Sequence, residues 1–136
     1  MRKRIRDYLQ GPYWVIDVLP KQVPKESGGQ FFAVEDYFLH DDRLAAIKEK
    51  HINIVLKLNC YYPVSLNQED VVNPPVAHLV EEMRRRDVLI MVGDALISSS
   101  WDEMHLALYH ADEELLELVR SIAFSEGMFV WELVDY

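Results

Sequence analysis

The chain has a single cysteine, Cys60, among its 136 residues. A lone thiol excludes an intramolecular disulfide framework and fits a reducing compartment, so the cytoplasm is the expected location. Positive charge is scarce as well. Fourteen Lys and Arg stand against 23 Asp and Glu, a formal net charge of −9. That balance argues against a nucleic-acid partner, whose phosphates call for clustered cations, and an anionic membrane surface would repel the chain. No uninterrupted apolar run reaches the length of a transmembrane helix, so a soluble protein is expected.

Catalytic signatures are missing too. The sequence holds no Gly-x-Ser-x-Gly elbow, no phosphate-binding glycine loop and no dinucleotide fingerprint. Ser27-Gly28-Gly29 is too short to cradle a phosphate and reads as a turn. No internal repeat, low-complexity tract or inter-domain linker breaks the chain. Half of its residues are hydrophobic and about a quarter charged, which suffices for one sizeable core and a single domain over residues 1–136.

The hydrophobic runs from residue 52 onward read strand, helix, strand, strand, helix, strand. This order predicts an α+β fold: a split βαβ (ferredoxin-like) two-layer sandwich, its two helices covering one face of an antiparallel or mixed sheet. The strands are expected at 52–60, 88–92, 104–110 and 128–134, with 98–102 as a connecting turn. Asn73 is the expected cap of the first helix, whose stripe is Val76, Leu79, Val80 and Met83 and whose end carries Arg84, Arg85 and Arg86. The second helix is predicted to start at Asp112, to bury Leu115, Leu116, Val119, Ile122 and Ala123, and to stop at Gly127.

The run Val88-Leu89-Ile90-Met91-Val92 lacks alternation, the mark of a covered interior strand. A fifth strand at 13–19 beside it supplies the missing neighbour, so that an N-terminal extension of residues 1–50 packs on a βαββαβ unit of residues 52–136. Residues 20–29 read as an exposed loop, either a plain connection or a lid. Residues 31–39 are ambiguous between helix and strand, while Asp41 or Asp42 caps a helix through Lys50. The cationic start Met1-Arg2-Lys3-Arg4-Ile5-Arg6 lacks the apolar segment of a signal peptide and reads as a short helix stopped at Gly11-Pro12.

Metal ligation needs side chains converging on one point, and the five histidines are spaced poorly for it. His105 and His110 have opposite parity on one predicted strand, and His40-Asp41-Asp42 reads as a solvated helix start. His51 is expected at a helix end, where the dipole accounts for it, and His78 on a polar helix face. No metal or cofactor is expected. Cys60, with the parity of Ile54, Leu56 and Leu58, reads as a small buried hydrophobe.

Two charges interrupt apolar runs: Asp17 shares parity with Val15 and Leu19, and Lys57 with Val55, Asn59 and Tyr61. Were these faces to coincide, Asp17, Lys57, Asn59 and Tyr61 would line one polar cleft bordered by aromatic residues. The plainer alternative sends Asp17 and Lys57 to solvent on an uncovered sheet face. The last strand, apolar on both faces, is expected at a sheet edge, where pairing with a second copy would make a homodimer.

The function these features favour is a noncatalytic binding or regulatory domain that engages a protein partner or a small molecule. The alternative is a small enzyme in which Asp17 is a general base and Lys57 an anion anchor or proton donor.

Overall fold

Six strands form one sheet in the computed structural model, which describes residues 9, 13–67 and 69–133. In chain order the elements are β1 (Trp14–Asp17), α1 (Phe31–Phe38), α2 (Asp41–Asn59), β2 (Val64–Leu66), α3 (Val76–Arg85), β3 (Val88–Val92), β4 (Ala95–Ser99), β5 (Leu106–Tyr109), α4 (Glu113–Ser125) and β6 (Phe129–Glu132). The strand order is β2-β3-β4-β5-β1-β6 and every neighbouring pair is antiparallel. The fold is therefore α+β, and the last strand lies at an edge as its position in the chain suggested.

Strand pleat divides the residues into two faces. On β3, Val88, Ile90 and Val92 enter the main core while Leu89 and Met91 of the opposite face are half-buried. Register carries the same face through Ala95 and Ile97, then Leu106 and Leu108, then Ile16. Against it pack Ile54, Val55 and Leu58 of α2, Leu79 and Met83 of α3, and Leu115, Val119 and Ile122 of α4. The β3–β4 hairpin turns through Gly93 and Asp94. Gly93 has φ +58, and a Cβ there would meet the Tyr62 ring at 3.2 Å, so the position favours glycine on two counts.

The second predicted helix forms as expected. The Asp112 carboxylate accepts from the Leu115 N–H at 2.8 Å, Glu113 and Glu114 occupy the first turn, the five expected side chains are buried, and Gly127 follows the end with φ +75. Residues 31–39 resolve as helix, with α1 ending at Phe38.

Four expectations are corrected. Residues 52–59 are the second half of the 19-residue helix α2, and Cys60 caps its end instead of closing a strand. Residues 95–99 form β4, so the predicted turn at 98–102 begins inside a strand. The N-terminal strand does pair, but between β5 and β6; the interior position of β3 comes from β2 and β4. Asn73 does not cap α3, whose N-cap is Pro75; its side-chain oxygen accepts instead from the Val64 N–H and the Asn59 amide. The predicted helix over residues 1–10 lies outside the described residues, Leu9 aside. Among the described residues no helix is long and apolar enough to cross a membrane.

The candidate site, a cavity on the second face of the sheet

The helices α2, α3 and α4 share one face of the sheet; the other face carries Tyr13, Val15 and Asp17 from the β1 segment beside Trp131 and Leu133 from the β6 segment. Over these residues the chain leaves β1, loops through residues 18–30 and returns as α1. The result is a cavity of about 460 Å³. The predicted exposed loop is one of its walls, through Gln22, Val23, Pro24 and Lys25, and α1 supplies another through Phe31, Phe32 and Glu35. The Trp131 indole N–H donates to the Leu19 carbonyl at 3.2 Å, which ties the start of the loop to β6.

Asp17 stands at the end of β1 with only 5 % of its surface exposed. Its Oδ1 accepts from the Val18 N–H at 2.7 Å. Burial raises its carboxyl above the ordinary aspartate range, opposed by backbone hydrogen bonds from Val18 and Leu19 and by His105; the Glu35 charge adds to the rise. The antiparallel register that sets Ile16 opposite Leu106 brings Asp17 next to His105, which also lines the cavity and lies 3.9 Å from Glu103. Among the described residues no lysine or arginine pairs with Asp17.

The other residues of the expected cleft are held elsewhere. Lys57 donates to the Glu126 carboxylate at 2.6 Å and to Ser125 Oγ at 3.1 Å, tying α2 to the end of α4. Glu126 is held below the usual carboxylate range chiefly by that bond, then by the Asn53 amide. Asn59 donates to the Tyr62 carbonyl and to Asn73 Oδ1. Tyr61 is exposed beside Tyr62, Glu114 and Glu117 in a separate shallow depression. Asp17 thus meets none of the three. The helical pitch of residues 52–59 is the reason: strand parity no longer applies, and Lys57 leaves α2 toward solvent. Because the Lys57 side chain is 46 % exposed, Lys57→Met is expected to cost less than about 1 kcal/mol in urea unfolding, the range of a surface ion pair. A loss of about 3 kcal/mol or more would mean a buried pair instead.

The residues that replace them were hidden for two reasons. His105 falls on a predicted strand whose partner the sequence does not name, and Trp131, Phe31 and Glu35 meet only where the β6 segment and α1 line one cavity. Cys60 is exposed, with its thiol directed to the Leu56 carbonyl at 3.6 Å, which corrects its expected burial.

A second group of polar residues lies on the core side. His51, expected at a helix end, is fully buried in the middle of α2, and its Nδ1 lies 3.2 Å from the Lys48 amine. Lys48 is 5 % exposed and also donates to the Ser100 carbonyl. Burial pulls the Lys48 ammonium down to about 8 against the opposing pull of Glu103, Asp102 and Asp87. Burial first, then the Lys48 charge, pulls the His51 imidazole down to about 3. The cavity lining does not include these two side chains. Among the described residues no three His, Cys, Asp or Glu side chains converge as a metal site would require.

No family model matches the chain, and no curated protein or solved structure is significantly similar to it.

Proposed function

We propose that this chain is a binding domain and that the cavity between the second sheet face and α1 takes a small, largely apolar ligand. The observation that carries this reading is the cavity itself: its volume is within the range of small-molecule sites, its walls are mostly aromatic and aliphatic, and a few polar groups converge in it. A sheet face left open would be covered by solvent-facing polar residues; this one presents Tyr13, Val15 and Trp131 beneath a loop and a short helix. Within the binding-domain reading, the small ligand is favoured over a protein partner because these residues form a concave site and not a flat patch.

The commitment of Lys57 to Glu126 weighs against the enzyme alternative built on Asp17 and Lys57. We also read the β5–α4–β6 connection, with β1 inserted between its two strands, as a split βαβ unit of ferredoxin-like kind.

A fragment library observed by saturation-transfer NMR tests the reading, with Gly29→Trp as the control. Gly29 lines the cavity, and a Cβ added there meets no atom within 4 Å, so a side chain can be introduced at the cavity wall without strain at its Cβ. Apolar fragments are expected to bind the wild-type chain and to lose binding in the folded variant. Equal binding to both, or none to either, removes the cavity from consideration.

A further inference from the structure

Two carboxylates, Asp17 and Glu35, stand among the polar groups of the cavity, beside Lys25, His105, Gln22 and Ser27. Asp17 is nearly inaccessible at the floor, Glu35 projects from α1 near enough for its charge to act on Asp17, and no lysine or arginine among the described residues pairs with the buried carboxylate. Burial favours the neutral acid at Asp17, and a cation seated beside it would stabilise the carboxylate instead. The walls suit the same partner. Tyr13, Phe31, Phe32 and Trp131 offer aromatic faces or edges, and the faces attract a cation by their quadrupoles while covering the apolar body attached to it. The formal net charge of −9 raises the local concentration of cations around the whole molecule.

We propose that the cavity's ligand is an amphipathic amine: a flat apolar body lodged among the aromatic side chains, with an ammonium group seated between Asp17 and Glu35. This rests on the cavity being a ligand site at all. Two cationic or protonatable groups, Lys25 and His105, also line the cavity, and they define the competing ligand chemistry, an apolar anion. Lys25 is on the exposed loop and His105 lies near both Glu103 and Asp17, so neither is a deeply buried cation, whereas Asp17 is a buried acid.

Three probes of one size separate the possibilities: phenethylamine, phenethyl alcohol and phenylacetate, each titrated into the full chain by calorimetry and saturation-transfer NMR at pH 7. The amine is expected to bind about tenfold or more tightly than the alcohol, the usual gain from a charge-assisted contact. Asp17→Asn keeps an oxygen to accept from the Val18 N–H while removing the charge, so the variant is expected to fold with an equal or higher Tm. In it the preference for the amine over the alcohol disappears, whereas Glu35→Gln reduces the preference only in part.

Equal affinity for amine and alcohol, or an unchanged preference in Asp17→Asn, overturns the amine assignment and leaves the cavity as a site. Tightest binding by phenylacetate also overturns it and moves recognition to Lys25 and His105. Binding of none of the three, with the fragment screen also empty, removes the cavity reading and the amine with it.

Discussion

Lowering the pH from 7 to 5 is expected to weaken the folded chain by up to about 1.4 kcal/mol per pH unit below 6.5 through one residue, His51. The imidazole is completely buried with an amine against one nitrogen, and it has been pulled from 6.5 down to about 3. The unfolded chain therefore takes up a proton on this side chain as the pH falls through 6.5, while the folded chain does not until about 3. Across that interval the unfolded state binds more protons, so stability is present above 6.5 and is lost as pH falls toward 3, on the order of 5 kcal/mol if the fold persists that far. Asp17 works in the opposite sense. Its folded carboxyl is raised, so the folded state takes its proton first and gains stability as pH falls, a contribution common to wild type and a His51 variant that cancels in their difference.

The test is a pair of urea curves for wild type and His51→Gln at each pH. Glutamine retains an acceptor for Lys48 and cannot titrate, so the variant starts below wild type at pH 7 and the gap narrows toward pH 5. A gap that stays constant over this range would mean that the buried imidazole titrates normally.

The burial of His51 follows from the length of α2, which a local pattern does not show. From residue 52 onward the pattern Ile52, Ile54, Leu56, Leu58 repeats every second residue, the signature of a strand. The same stretch also satisfies a helical repeat, with Ile47, His51, Ile52, Val55 and Leu58 on one side of α2, but only if the window reaches back across the charged residues 48–50. A short apolar run serves either period, and length decides between them. Where both ends of an element carried their own signals, as Asp112 and Gly127 do for α4, its type and its buried residues were legible.

The sheet was legible only in part because β4 follows β3 through a two-residue turn, and Ala95-Leu96-Ile97-Ser98-Ser99 fades from apolar to hydroxyl without alternation. Of the candidate site, Asp17 was recognisable as a charge inside an apolar run. Its neighbours were not, since Glu35, His105 and Trp131 come from three segments whose convergence depends on strand order. Parity within a single strand says which face a side chain takes, and nothing about which strand lies alongside.

The period of residues 52–59 has a direct energetic signature, and it supplies the second large effect. In a strand, Val55 would share the polar side with Lys57, and its truncation would be nearly silent. On α2 both Val55 and Leu58 are fully buried against the sheet. Leu58→Ala is accordingly expected to cost about 2–5 kcal/mol, the lost transfer energy plus the cavity left between α2 and its neighbours. Val55→Ala removes two methyl equivalents from an equally dry position and is expected to cost about 2 kcal/mol. With Lys57→Met below about 1 kcal/mol, the series Val55, Lys57, Leu58 then runs high, low, high, the spacing of one helix face. A silent Val55→Ala in urea unfolding would contradict the helix and restore the strand; in that case Lys57 would again share a face with Val55, and the cleft of Asp17, Lys57, Asn59 and Tyr61 would return as the competing site.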